Sequence, residues 1–228
     1  MAAASSSSSS SIILLFSLSC IIFLSSPSQA YDYPPIVDGL SFTFYESTCP
    51  QADVIVRNYL QQAFSTNIGL AAGLLRLHFH DCFVQGCDGS ILLDGTAGET
   101  SEKEAPPNLT LRPEAFKAIN DLQTLITEAC GQVVSCADIT TLAARDSVYL
   151  SGGPNYLVPL GRRDGLSIAP ITVIRDFLPP PTSNVSFLIF SLDKLNLTTT
   201  DLVTLSGVNQ TVVILYDQLL MRRTDGLL

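Results

Sequence analysis

The sequence predicts an all-α domain, on three observations. Apolar residues recur at helical spacing in two early segments, and two later segments open on residues that start helices. Between them lie long stretches in which Gly, Asp and Pro interrupt any periodicity.

The first thirty residues carry no charge and run from a serine tract into the apolar stretch Ile12 to Leu24, then to Ser28-Gln29-Ala30. This reads as a secretory signal peptide, because the apolar run falls short of the ~20 residues needed to span a bilayer. One continuous globular unit is expected from about Tyr31. Ala52 to Phe64 places Ala52, Ile55, Val56, Tyr59, Leu60 and Ala63 on one helical face, and Leu70 to Phe83 is a second helix with Arg76 and His80 on a common face. Cys87 to Leu111 predicts a long ordered loop or a set of turns. Pro113 suits the first turn of a helix running to about Ala129, and Ser135 with Asp138 resembles a capping box for a helix running to about Leu150. An irregular stretch from Ser151 to Pro181 follows, then two short helices near Val185 to Leu195 and Thr200 to Ser206.

Every charged residue lies beyond the signal, so the net charge of -9 belongs to the mature chain and argues against a nucleic-acid or anionic-membrane partner. With Cys20 removed, five cysteines remain: Cys49, Cys82, Cys87, Cys130 and Cys136. In a disulfide-forming compartment an odd number leaves one thiol without a partner. The triplets beginning at Asn108, Asn184, Asn196 and Asn209 match the N-glycosylation pattern.

Arg76 and His80 stand four apart, an imidazole base beside a permanent guanidinium charge. Such a pair suits peroxide cleavage, the imidazole moving the proton and the arginine stabilising charge on the departing oxygen. Taken alone it fits a solvated ion-pairing face better. The next residues change the balance: Asp81, Val84, Gly86, Asp88 and Ser90 offer carboxylates, a hydroxyl and backbone carbonyls suited to a hard cation such as calcium, within a loop enclosed by Cys82 and Cys87.

The run Leu75-Arg-Leu-His-Phe-His-Asp-Cys-Phe-Val-Gln-Gly-Cys-Asp-Gly-Ser90 resembles the distal-helix signature of class III secretory plant peroxidases. The likeness continues through Cys49-Pro50, Glu102-Lys-Glu104, Pro107-Asn108, Val134-Ser-Cys-Ala-Asp138, Val158-Pro-Leu-Gly-Arg-Arg-Asp164, Leu178-Pro-Pro-Pro181 and Asp201-Leu-Val-Thr-Leu-Ser-Gly207. It implies a plant haem-peroxidase-like helical domain that oxidises phenolic donors one electron at a time with hydrogen peroxide, using haem b and calcium. It also implies a secreted protein of the extracellular space, cell wall or vacuole.

By this resemblance Arg76 is the transition-state stabiliser, His80 the distal acid/base, and Asn108 the hydrogen-bond partner that aims His80. Phe79 walls the haem pocket and Pro179 lies at the donor edge. Asp81, Val84, Gly86, Asp88 and Ser90 hold the distal calcium, with Glu102 tied to it through water. The implied disulfides are Cys49 to Cys130 and Cys82 to Cys87, leaving Cys136 unpaired.

The likeness breaks after Gly207. Where the family places the iron-ligating proximal histidine this sequence has Asn209, and Gln210 stands where a threonine serves a second calcium, which puts the proximal calcium in doubt. The chain contains only two histidines, His78 and His80. The expected organisation is therefore a signal at 1–30, a peroxidase-like domain at 31–207 with its distal lobe complete and its proximal lobe mostly missing, and a divergent tail at 208–228. Uncovered apolar surface then predicts a monomer prone to aggregation. A catalytically inactive remnant that keeps the calcium-binding, disulfide-linked module is the alternative reading.

Overall fold

Four long helices form where apolar periodicity and helix-start residues placed them. The computed structural model describes residues 36–96 and 98–207. The segments at 1–30 and 208–228, with Asn209 and Gln210, lie outside the described residues.

Helix α1 (Ala52–Thr66) buries Ala52, Val56, Leu60 and Phe64, one residue per turn along a single stripe. Helix α2 (Gly69–Cys82) turns Leu70, Leu74 and Leu77 to the same core. Helix α3 (Pro113–Cys130) starts with Pro113 in its first turn and stops at Gly131, whose φ of 78° carries the chain out of the helix. Helix α4 (Cys136–Leu150) is buried along most of its length. Leu60, Leu74, Leu77, Ile119, Leu122 and Ile139 are fully buried among these helices. Each contributes on the order of 1.5–3 kcal/mol through removal of apolar surface from water.

The Cys49–Cys130 disulfide ties the entry of α1 to the end of α3 across 81 residues of sequence. Ser41 and Leu160 exchange backbone hydrogen bonds of 2.8 and 2.9 Å, pinning the early segment to the loop after α4. Among the described residues there is no strand beyond two isolated bridges, and no helix is long and apolar enough to cross a membrane.

Two expectations need correction. The irregular stretch from Ser151 to Pro181 contains a short helix, α5 (Ile171–Phe177), held by fully buried Ile174. The capping box at α4 forms by half: Ser135 Oγ accepts from Asp138 N–H at 3.1 Å, but the Asp138 carboxylate does not reach back. That carboxylate instead accepts from Tyr45 Oη, Gly161 N–H and the Arg162 guanidinium at 2.8, 2.7 and 3.0 Å. The loop from Cys87 to Leu111 contains single 3₁₀ turns at Ser90–Leu92 and Glu102–Glu104.

Helix α6 (Val185–Asp193) and a helical run at 199–207 complete the described chain. A second apolar cluster joins Phe83, Val84, Ala105, Ala169, Ile174, Leu178 and Leu192, with Phe79 packed against it. Helix α2 thus runs from one core into the other, and the polar residues at its C-terminal end sit where the two meet.

Candidate functional site

The helical spacing that put Leu74 and Leu77 into the core leaves Arg76 and His80 together on another side of α2. Arg76 Nε donates to His80 Nε2 at 3.2 Å. His80 Nδ1 lies 2.7 Å from Asn108 Oδ1, and Asn108 Nδ2 donates to the Glu102 carbonyl at 2.8 Å. With the amide nitrogen committed to Glu102, the Asn108 carbonyl can only accept, so the ring proton sits on Nδ1 and the lone pair on Nε2. Burial pushes His80 down to about 4, opposed by the Asn108 hydrogen bond and reinforced by the Arg76 charge. The imidazole is therefore neutral and basic at Nε2 over the ordinary pH range. The structure brings together the three residues expected to act as a unit.

Arg76 has an anchor that sequence reasoning missed. Its Nη1 and Nη2 donate to the carbonyl and hydroxyl of Thr110, both at 2.8 Å. Thr110 belongs to the Asn108-Leu-Thr triplet read as a glycosylation signal. Asn108 is 2% exposed and engaged on both sides, so in the folded protein this triplet serves the site rather than a glycan. Asn184 is exposed and caps α6, its Oδ1 accepting from Phe187 N–H at 2.9 Å.

Phe79 meets the His80 ring edge-on at a centroid distance of 5.2 Å and Phe83 at 4.4 Å. A cavity of about 250 Å³ opens along this side of α2, walled by Leu75, Phe79, Phe83, Pro179, Leu192 and Leu205. Phe79 and Pro179 thus face the same space, and His78 rather than His80 is the histidine on its wall. These apolar side chains fit one face of a flat prosthetic group such as haem. The donor set does not fit its iron: the only imidazoles in the chain are His78 and His80, two residues apart on one helix. His78 Nε2 lies 3.3 Å from both Cys82 Sγ and Thr141 Oγ1. Burial, with Arg162 nearby, pushes it down to about 4.

The loop after α2 gathers three carboxylates. Asp81 is 1% exposed; its Oδ2 accepts from Gly89 N–H at 3.1 Å, while its Oδ1 has no partner. Glu102, also 1% exposed, accepts from Ala169 N–H at 2.8 Å through Oε1 and leaves Oε2 without one. Asp88 Oδ1 accepts from Ser90 N–H at 3.1 Å. Positive φ at Gln85 and Gly86 turns the chain between Val84 and Asp88, where Gly86 tolerates φ 115° for want of a Cβ. Burial, then the neighbouring Asp88 and Glu102 charges, raise the Asp81 carboxyl to about 7. Buried carboxylate oxygens without a donor are costly, and a cation bound by oxygen would satisfy both orphans. These residues fit calcium.

Both expected disulfides are present, Cys49–Cys130 and Cys82–Cys87, and Cys136 is a free thiol. Burial and the adjacent Asp164 push that thiol up to about 11.

The family model for peroxidase matches residues 56–211. The chain is 60% identical over 175 residues to cationic peroxidase SPC4 of Sorghum bicolor, covering 76% of this chain and 48% of that protein. It is 56% identical over 173 residues to peroxidase 12 of Arabidopsis thaliana, with 76% and 48% covered. To peroxidase 42 of Zea mays it is 48% identical over 170 residues, with 75% and 51% covered. The chain spans about half the length of the curated relatives it matches.

Proposed function

From the premise that this chain belongs to the plant peroxidase family, we propose that it carries the peroxide-side machinery of hydrogen-peroxide-dependent, one-electron oxidation of phenolic donors. The observation that carries this reading is the hydrogen-bonded line Arg76–His80–Asn108. Haem b would supply the iron and the electrons that reduce peroxide, but neither His78 nor His80 is placed to hold that iron from the opposite face.

His80 Nε2, whose lone pair is free of a proton, is placed to take the proton of one peroxide oxygen and hand it to the other. Asn108 keeps the proton on Nδ1 throughout and so keeps Nε2 the basic nitrogen. Arg76, held by Thr110, places its charge beside the departing oxygen. Its Nε occupies the His80 lone pair in the resting arrangement, so peroxide has to replace that hydrogen bond to reach the base. Phe79 keeps water from the neighbouring wall, and Pro179 borders the opening through which a phenol would approach. Calcium held by Asp81, Val84, Gly86, Asp88 and Ser90, with Glu102 behind them through water, would fix the loop that follows His80. Glu102 also holds Asn108 through its backbone carbonyl, which couples the cation loop to the base. The peroxidase-like unit is 31–207, following a secretory signal.

A second reading is favoured by Asn209 at the position of the family's proximal histidine, together with the confinement of both histidines to α2. On that reading the chain is a non-catalytic module that retains the cation loop and disulfides. Titrating the full chain with hemin and calcium in an oxidising thiol buffer separates the two. A stoichiometric Soret band, with guaiacol oxidation that falls at least about 100-fold in His80→Ala, supports the enzyme. Absence of a stable band refutes it and leaves the module.

A further inference from the structure

We propose that reduction of the Cys82–Cys87 disulfide turns His78, Cys82 and Cys87 into a three-ligand site for a soft divalent cation of the zinc class. His78 and Cys82 stand one helical turn apart on α2, with Nε2 and Sγ 3.3 Å apart. The turn at Gln85 and Gly86 brings Cys87 back beside them, and one donor atom from each of the three lies within 4.8 Å of the others. A tetrahedral zinc ion with bonds of roughly 2.0–2.3 Å holds its donors roughly 3.3–3.8 Å apart. The His78–Cys82 pair already meets this at 3.3 Å, while the two bonded sulfurs have to move apart after reduction. All three side chains are partly exposed, and His78 and Cys82 stand on the wall of the 250 Å³ cavity, which gives an ion a path and room for a fourth ligand.

In the oxidised chain neither sulfur carries the thiolate charge a zinc ion requires. A dithiol reductant transfers two electrons to the Cys82–Cys87 bond, giving two thiols while the reductant closes its own disulfide. The cation then displaces one proton from each thiol. His78 stays neutral: Thr141 Oγ1 gives its hydrogen to the Ala137 carbonyl at 2.9 Å, so His78 Nε2 is the donor toward Thr141. Metal binding moves that ring proton to Nδ1 and breaks the Thr141 contact. The same hairpin therefore offers oxygen ligands to a hard cation when oxidised and sulfur ligands to a soft one when reduced.

The test uses the full chain with Cys136→Ser to remove the free thiol, reduced anaerobically with a phosphine that is then filtered away, and cobalt(II) as the spectroscopic probe. The expected result is one cobalt per chain with a thiolate-to-cobalt charge-transfer band. That band should persist when Cys49 and Cys130 are both serine and vanish when Cys82 and Cys87 are. His78→Ala should weaken cobalt binding at least about 100-fold, beyond what loss of a group outside the coordination sphere costs. The proposal is overturned by a reduced chain that gives no band, whether or not it retains helical circular dichroism. A band that survives the Cys82/Cys87 replacement, or an affinity unchanged by His78→Ala, overturns it equally.

Discussion

Replacing Asp81 by asparagine should stabilise the cation-free protein and destabilise the calcium-loaded one. The carboxyl is raised from 3.8 to about 7, mainly because it is buried and then because Asp88 and Glu102 are close. A folded-state value above the unfolded one means that the native chain binds the extra proton. The associated stability is complete below pH 3.8 and is lost as pH rises through 7. Above both values that loss approaches about 4 kcal/mol, an upper bound because neighbouring groups relax. Asparagine keeps a carbonyl for Gly89 N–H, carries no charge, and escapes the loss. In urea unfolding followed by far-ultraviolet circular dichroism near pH 8 with EGTA, Asp81→Asn should exceed the native chain by up to that amount. The gap should close toward pH 4, and with saturating calcium the order should reverse. A variant no more stable than the native chain in EGTA near pH 8 would refute the view of Asp81 as an uncompensated buried charge. A stability order indifferent to calcium would remove the cation from the loop.

Asn108→Ala leaves His80 Nδ1 and the Glu102 carbonyl without partners in a buried setting, and should cost about 3 kcal/mol in urea unfolding. Serine at both Cys49 and Cys130 should cost about 4.5 kcal/mol by loss of the constraint on the unfolded chain, read from the same unfolding curve under non-reducing conditions. Cys136, its thiol raised from 9.0 to about 11, should alkylate with iodoacetamide about 100-fold more slowly in the folded chain than in urea near pH 8. Its rate should climb with pH through 11, and Asp164→Asn should accelerate it. Equal folded and unfolded rates would mean that the thiol is not shielded.

Helices α1 to α4 were legible because each is long enough for periodicity and end signals to agree. Helix α5 was not, because Ile171, Thr172, Val173 and Ile174 are β-branched and seven residues hold too little pattern; Ile174 in the second core decides its conformation. The Arg76–His80 pair could be read from spacing on one helix. The oxygen ligands from Asp81 to Ser90 could be read from their chemistry and spacing, whereas Asn108 and Glu102 were reachable only through family resemblance, since nothing local ties position 108 to position 80. Thr110 escaped notice because its triplet carries another meaning, and Asp138 because its capping signal hid the Tyr45 and Arg162 partners. Val185, Phe187, Phe190 and Val203 are exposed among the described residues.

The Asn108-Leu-Thr110 triplet places two processes in a race. In a secretory compartment an oligosaccharide can be attached only while Asn108 is still accessible, yet folding withdraws that side chain between His80 and Glu102. Thr110, needed by the transferase, is claimed by Arg76 in the same event. A sugar at position 108 would therefore timestamp a molecule that was tagged before its helices met, and that molecule could never seat its histidine. Occupancy at this one asparagine would report the speed of early folding.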